Sequence, residues 1–255
     1  MGQGKARAWY VISLRPQGGH AAVRQAAARV GAGVIALSPW SLAACTDAPA
    51  RQAWDAARAC EVVVFTSPAA VRFAHALAPI AARPGQVLVG TGSGTRAALA
   101  RLGLEAVAPA RMDSEGLLAL PELAALEQRP VGLVTAPEGR GTLAPALRRR
   151  GAHLHLAEVY RRQPIPLSTR ALARLDALDA PACVLVTSSG ALGEVFQRLP
   201  GHAAAALRAQ PAIVASARLA TVALQAGFEH VLQAEGPRPA QLMATAQAMY
   251  SHRLG

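Results

Sequence analysis

The chain is built from two blocks that each occur twice, in the order A–B–A′–B′. Block A spans residues 11–34 and returns at 133–154, with residue 11 matched to residue 133, and both copies read as strand, helix, strand. Block B opens at 62–67 and returns at 183–188, and both copies continue through two more short strands. One A with one B makes a five-stranded doubly wound sheet, so the repeat predicts two such domains.

Short apolar runs alternate with alanine-rich stretches along the chain. We expect strands at residues 9–14, 34–37, 62–66, 87–90, 106–108, 131–135, 154–158, 183–187, 212–215 and 231–233. We expect helices in stretches such as 21–30, 69–77, 95–102, 141–150, 191–199 and 219–226. This alternation predicts an α/β fold in which helices cover both faces of parallel sheets.

The composition suits a folded chain of two domains. The 255 residues are 52% apolar and 16% charged, which allows a sizeable core. Three cysteines without CxxC spacing exclude a disulfide scaffold and a cysteine-rich zinc site. No signal-peptide pattern or long uncharged apolar stretch occurs, so we expect a soluble, cytoplasmic protein.

The net charge favours an anionic partner. There are 26 basic against 15 acidic residues, a balance of +11, which raises the local concentration of polyanions. Nucleic acid, acidic lipid and a small polyanion are all possible partners. The excess of arginine is explained equally well by a GC-rich genome, which favours alanine and arginine codons. The basic residues cluster only at 148–150 and 161–162, without interleaved aromatics, which argues against nucleic acid.

The repeat alone leaves two domain pairings open, A with B or A with B′. Segments 38–50 and 160–166 carry prolines and irregular patterning, and both would cross between domains if A joined B′. Two lobes joined by two linking strands would have a cleft and a hinge, where ligands usually bind.

Small polar residues follow strands or open helices in both halves of the chain. These positions are Thr66, Ser67, Gly92, Ser93, Thr95, Ser114, Ser188, Ser189 and Ser216. Each one taken singly is an ordinary helix N-cap, the position that serine and threonine prefer. Because helix N-termini also bind carboxylates and phosphates, their repetition predicts rows of uncapped amides for a ligand with many acidic groups.

Three larger side chains are further candidates. Arg15 and Arg140 lie in the two A-type loops, where each could clamp a carboxylate or form a salt bridge. Tyr160 lies where the chain leaves block A′, as a hydrogen-bond donor or a core aromatic. No nucleotide fingerprint, nucleophile motif or metal-ligand set is complete, and His153 and His155 fit surface positions better than a metal site.

The order of several short motifs resembles the uroporphyrinogen-III synthase family. The matching motifs are Arg15-Pro16, Phe65-Thr66-Ser67-Pro68, the stretch 89–95, Ser114-Glu115-Gly116-Leu117-Leu118, Gly139-Arg140, Val159-Tyr160-Arg161, Thr187-Ser188, Ser216-Ala217-Arg218 and Gly227-Phe228. The likeness covers residues 9 to about 245, and Ala136-Pro137 departs from the glycine-containing pair usual in the central loop.

The resemblance implies a fold, an activity and roles for particular residues. It implies two flavodoxin-like doubly wound domains joined by a two-stranded linker with a cleft between them, A pairing with B′. The outer domain would comprise residues 1–38 and 164–255, and the inner one 39–163. The activity would be cofactor-free and metal-free closure of linear hydroxymethylbilane, with loss of water and inversion of ring D, in haem biosynthesis.

The same resemblance assigns the site. Tyr160 would assist departure of the substrate hydroxyl, and substrate carboxylates would be bound by the remaining residues, which are Arg15, Thr66, Ser67, Gly92, Ser93, Thr95, Ser114, Arg140, Ser188, Ser189, Ser216 and Arg218. The implied protein is a monomer that contacts neither nucleic acid nor membrane and meets the preceding pathway enzyme transiently. The alternative is a two-lobed binding protein for a small polyanion, without catalysis.

Overall fold

A computed structural model describes residues 9–111, 114–137, 141 and 143–251. Within it the chain divides into two compact units. The terminal unit contains the residues up to Ser41 together with those from Gln163 onward, and the middle unit is Leu42–Arg162. The boundaries that the resemblance implies, after residues 38 and 163, differ from these by a few residues.

The described elements alternate between strands and helices. The strands are β1 Tyr10–Ser13, β2 Gly33–Ala36, β3 Trp40–Ala44, β4 Val62–Phe65, β5 Val87–Gly90, β6 Pro130–Thr135, β7 His153–Glu158, β8 Tyr160–Pro164, β9 Ala182–Val186, β10 Ala212–Val214 and β11 Val231–Gln233. The α-helices are α1 Ala21–Arg29, α2 Ala48–Arg58, α3 Pro68–Leu77, α4 Ser93–Ala100, α5 Ser114–Leu118, α6 Leu143–Arg149, α7 Thr169–Asp176, α8 Ser189–Arg198, α9 Gly201–Arg208, α10 Ala217–Gln225 and α11 Pro239–Ser251. This confirms the predicted α/β class.

The terminal unit holds a five-stranded parallel sheet in the order β11–β10–β9–β1–β2. Numbered along the unit's own chain, this is the order 2-1-3-4-5 of flavodoxin-like folds. The strand order reverses where β1 lies beside β9, and ligands of such sheets bind at the carboxyl ends of strands near that point.

The middle unit holds a four-stranded parallel sheet in the order β5–β4–β6–β7. A single parallel bridge between Val89 and Val107 adds a fifth position beside β5. The strand that we expected at 106–108 is thus reduced to one bridge. Because β6 lies beside β4, block B pairs with A′, and β1 beside β9 pairs A with B′, as the resemblance implies.

The sheet of the middle unit is covered on both faces, which explains its unbroken apolar strands. Successive side chains of a strand point to opposite faces. On β4, Val63 and Phe65 join one buried cluster with Trp54, whereas Val62 and Val64 join another with Leu133. Each fully buried side chain of this size stabilises the fold by about 1.5–3 kcal/mol, so the run Val62–Phe65 specifies a central strand.

The segments that looked irregular in the sequence form the linker. Strands β3 and β8 pair as a two-stranded sheet, each lying across a boundary between the units. Apolar alternation is weak there because β8 is buried only at Tyr160 and exposed from Arg161 onward. None of the helices in the described ranges is long and apolar enough to cross a bilayer.

The strand register corrects the match between the two copies of block A. In the terminal unit Ser13 lies opposite Leu185, and in the middle unit Leu133 lies opposite Val64. Since Leu185 and Val64 are equivalent in block B, Leu133 is equivalent to Ser13 rather than to Val11. A slip of two residues keeps every side chain on its own face, so the sequence pattern could not distinguish the two alignments.

Candidate functional site

Tyr160 is held by both a polar and an aromatic contact. It begins β8, is 8% exposed, and belongs to a buried apolar cluster of the middle unit. Its hydroxyl lies 3.0 Å from the Oγ of Ser67, and either oxygen can be the donor. Its ring stacks on Phe73, with centroids 5.3 Å apart and planes at 17°. The structure thus brings together two predicted site residues that are 93 positions apart.

Ser67 joins the end of β4 to the start of α3. Its backbone is extended, and its Oγ accepts a hydrogen bond of 3.0 Å from the backbone N–H of Ala70. Pro68 occupies the first turn of the helix, where its missing N–H costs nothing. Ser67 is therefore an N-cap that also contacts the Tyr160 hydroxyl.

The hydroxyl of Thr66 is used inside the protein. Its single proton can go to the carbonyl of Val134 at 3.2 Å, and it also hydrogen-bonds to the Oγ1 of Thr135 at 3.0 Å, where either hydroxyl can be the donor. In turn, Thr91 donates from Oγ1 to the carbonyl of Thr66 at 2.9 Å. These bonds tie the carboxyl ends of β4, β5 and β6 together, so they favour a structural role for this side chain over a ligand contact.

The start of α4 lies beside this edge and has no side-chain cap. Its N-cap is Gly92, Ser93 is its first residue, and Thr95 is only 3% exposed. A Cβ on Gly90 would come within 2.9 Å of the Arg96 nitrogen, so a glycine is needed for α4 to pack this closely on β5. Burial leaves the backbone amides of this turn, rather than the Thr95 hydroxyl, as candidates for a ligand.

The terminal unit carries its candidates after three adjacent strands. Arg15 follows β1, Ser188 and Ser189 follow β9, and Ser216 and Arg218 follow β10. Parallel strands end at one edge, so these positions share the carboxyl edge of the sheet. Arg15 is half-buried, and burial lowers the pKa of its guanidinium, while Arg218 is exposed in the first turn of α10.

Several of the expected amides are already bonded. The Oγ atoms of Ser67, Ser188 and Ser216 accept from the backbone N–H of the third residue of α3, α8 and α10, at 3.0, 3.3 and 3.4 Å. The expectation of uncapped helix starts is therefore wrong at these three amides. The reason is geometric, because the side chain of an N-cap serine with an extended backbone is already positioned to accept a hydrogen bond from that amide.

A buried histidine of the terminal unit was not predicted from the sequence. His20 is 6% exposed, and its ring nitrogens contact the Oγ of Ser13 at 3.0 Å and of Ser38 at 2.8 Å. Burial first, then the charges of Arg24 and Arg15, lowers the pKa of His20 to about 4. His20 follows two glycines and belongs to no recognisable motif. Its two serine partners lie at or just after the ends of two different strands, so their contact with His20 could not be read from the sequence.

Phe73 and Thr135 were also missed as site residues. The only sequence signal for Phe73 is its place on the inner side of α3, which every core residue shares. Thr135 was assigned as the end of a strand. Its bond to Thr66 depends on β4 and β6 being neighbours, which the repeat left open.

The remaining candidates are only partly described. Ser114 is the first residue of α5, and its side chain is not among the described atoms. Arg140 lies outside the described residues. Arg150, which belongs to the basic cluster 148–150 and was not a candidate, donates to the backbone carbonyls of Leu118 and Leu123, which favours a structural role. In the described ranges no three His, Cys, Asp or Glu side chains form a group that could hold a metal ion.

Comparison with known proteins shows a family and a fold. The family model described as uroporphyrinogen-III synthase HemD matches residues 21–244. No curated protein matches the sequence.

Solved structures of very different sequence share the fold. A mutant uroporphyrinogen III synthase from the extremely thermophilic bacterium Thermus thermophilus is 17% identical, with a TM-score of 0.61 over 96% of this chain and 100% of that one. The uroporphyrinogen-III synthetase of Helicobacter pylori is 14% identical, with a TM-score of 0.61 over 94% of this chain and 99% of that one. At such identities these structures speak for the fold alone.

Proposed function

Because this chain belongs to the uroporphyrinogen-III synthase family, the lyases that cyclise hydroxymethylbilane in haem biosynthesis, we propose how its own residues carry out that reaction. The carboxyl edges of the two sheets bind the acidic side groups of the bilane. Tyr160 assists loss of the terminal hydroxyl, and the bound geometry directs the new bond to the substituted carbon of the last pyrrole. The family match favours this enzyme over a binding protein without catalysis.

Substrate carboxylates are bound mainly by backbone amides of the first helical turns. Ser189 contributes at α8 and Arg218 at α10, each ahead of the amide that the cap serine of its helix occupies. Ser93 contributes at α4, whose N-cap is Gly92. The positive end of each helix dipole favours an anion there, typically by 0.3–1 kcal/mol. Because several such sites act together, each single side-chain substitution has a mild effect.

Arginines add charge at the same edges. Arg15 follows β1 with its charge half-buried, where a paired carboxylate relieves the cost of desolvation. Arg140 is proposed for the corresponding loop of block A′, on the strength of its Gly-Arg motif. Ser114 is proposed as a further contact at α5, and the Thr66 and Thr95 hydroxyls are left out because one is internally bonded and the other buried.

Tyr160 acts as general acid or hydrogen-bond donor to the leaving hydroxyl. The single observation that carries this role is the fixed position of its hydroxyl, which lies 3.0 Å from the Oγ of Ser67 on a ring that stacks on Phe73. A fixed donor of this kind contributes roughly 10²-fold, and the rest of the rate comes from holding the bilane ends in reach. No step needs a metal or an organic cofactor.

We further propose a monomeric, cytoplasmic protein that meets the preceding pathway enzyme transiently. The net charge of +11 supports capture of a polyacidic product released nearby.

The proposed function is tested with freshly prepared hydroxymethylbilane. The purified protein should convert it to the type III macrocycle, whereas unassisted closure gives type I. Separation of the two isomers by chromatography measures the outcome. Formation of type I alone, at the unassisted rate, would contradict the proposal.

A further inference from the structure

We propose that Ser67 is a positioning residue that turns the Tyr160 hydroxyl proton toward the substrate, rather than a contact for a substrate carboxylate. This inference rests on the proposed function, since it concerns the donor for the leaving hydroxyl. It replaces the role that the sequence suggested for Ser67. Three features of the middle unit carry it: the hydrogen count at Ser67, the polarity of α3, and the support of the Tyr160 ring.

The hydrogen count limits what the two hydroxyls can do. A serine hydroxyl has one proton and two lone pairs. The Ala70 N–H already donates to Ser67 Oγ at 3.0 Å, so the serine proton remains to be placed. Its neighbour is the Tyr160 oxygen at 3.0 Å. When Ser67 donates to Tyr160, the phenol proton can point away from Ser67 and is available to another acceptor, and when Tyr160 donates, that proton is used in the bond to Ser67.

The polarity of α3 decides between these two directions. Ser67 lies at the N-terminus of the helix, where the aligned peptide dipoles place a positive partial charge. An oxygen that accepts from a backbone amide there is a poorer second acceptor and a better donor, because hydrogen bonds in a chain polarise one another. The favoured chain therefore runs from the Ala70 amide through Ser67 to the Tyr160 oxygen. It also supports negative charge on that oxygen once the proton has left.

One helix fixes both ends of the tyrosine. Helix α3 begins after Ser67, which contacts the hydroxyl, and contains Phe73, which stacks on the ring at 5.3 Å. The ring is thus held in orientation by Phe73 while the hydroxyl is held in direction by Ser67. If the Tyr160 side chain only filled space in the core, the stacking contact with Phe73 would be sufficient and the hydrogen bond to Ser67 would not be needed.

The test is a double-mutant cycle between Ser67→Gly and Tyr160→Phe. Glycine removes the hydroxyl but is still an acceptable N-cap, so the substitution should lower the stability of the helix by only about a few tenths of a kcal/mol. We expect S67G to lower kcat roughly tenfold with KM within about twofold, a modest share of general-acid catalysis. In the Y160F background, S67G should cost nothing further, because Ser67 acts through the phenol. Ser67→Thr should restore activity.

Ser168→Gly is the matched control. Ser168 caps α7 in the same way, accepting from Ala171 at 3.4 Å, and has no place in the site. Its kcat should stay unchanged, and the melting temperatures of the two glycine variants show whether each is folded. If S67G does not fold, Ser67→Asp takes its place in the cycle, because aspartate is a favourable N-cap but its carboxylate has no proton to donate to Tyr160.

The results separate this inference from the proposed function. Effects of S67G and Y160F that multiply, a loss confined to KM, or an unchanged S67G would each overturn the positioning role. A wild-type protein that makes no type III product would instead overturn the proposed function.

Discussion

The two units have one spatial plan but opposite chain orders. In the terminal unit block A precedes its partner B′, whereas in the middle unit block B precedes its partner A′. Both sheets nevertheless place the A strands and the B strands in the same sequence from edge to edge. Strand order is thus specified by the pairing surfaces of the blocks, and the order of connection has little influence on it.

At their carboxyl edges the two units differ, and the differences fall on the site. Ser67 and Ser188 are equivalent N-caps, but Ser67 also contacts the hydroxyl of Tyr160. Tyr160 begins β8 where Trp40 begins β3, each seven residues after the start of the preceding block A strand. The shared positions build the scaffold, and the departures from the repeat coincide with the residues for which we propose a chemical role.

Gly132→Ala should have the largest effect, on the stability of the middle unit. The equivalent residue of the terminal unit is Ile12, fully buried, whereas a Cβ on Gly132 would lie 2.3 Å from the Ala57 carbonyl oxygen. Helix α2 must move to admit a methyl group, and we expect a loss of about 3 kcal/mol in the free energy of unfolding. Urea denaturation measures it. Gly193→Ala is the control, because a Cβ at this position of α8 would lie in open space, and it should not destabilise the protein. If Gly132→Ala were as stable as Gly193→Ala, α2 would be free to shift and the prediction would be wrong.

His20 should make the terminal unit sensitive to acid. Its pKa of about 4 lies below the ordinary 6.5, so the unfolded chain takes up a proton first as the pH falls. Its contribution is complete above about pH 6.5 and is lost progressively toward pH 4, by roughly 2–3 kcal/mol. Denaturation midpoints of the wild type and His20→Gln, compared from pH 7 to 4.5, measure the difference. Parallel curves would contradict the prediction.

Tyr160→Phe should lower turnover at least several-fold, and by ~10²-fold at most, without unfolding the protein. Trp40→Phe, at the equivalent position of the terminal unit, should leave turnover within about twofold, since it keeps an aromatic ring and lies outside the proposed chemistry. Initial rates of type III formation measure both. Unchanged turnover in Y160F would remove the catalytic role of Tyr160.

Gly90→Ala should have the smallest effect, again on stability. The terminal unit has Val214 at the equivalent position, because Val214 lies opposite Val186 as Gly90 lies opposite Phe65, so that unit accommodates a branched side chain there. A Cβ on Gly90 would approach the Arg96 nitrogen to 2.9 Å, and we expect a cost of about 1–2 kcal/mol. Gly94→Ala, where the nearest atom lies at 3.6 Å, is the control. Equal melting temperatures for the two variants would show that the close packing is not needed.

Much of the fold could be predicted because the strands are short apolar runs separated by helices. The runs at 87–90 and 231–233 were predicted to the residue. The linker strands gave weaker patterns because they lack two covered faces, and the strand at 106–108 formed only one bridge. The candidate site was predicted as a set of strand-end residues, without the contacts among them.

The amino-acid sequence by itself determined the α/β class, the repeat, the helix starts at Ser67, Ser188 and Ser216, and the family. These are local patterns or ordered motifs, readable without knowing which strands are neighbours. Only the tertiary structure decided that Ser67 meets Tyr160, that Thr66 bonds to Thr135, and that His20 is buried between two serines. Such contacts join residues far apart in the chain, and they exist because a specific register and strand order bring the ends together.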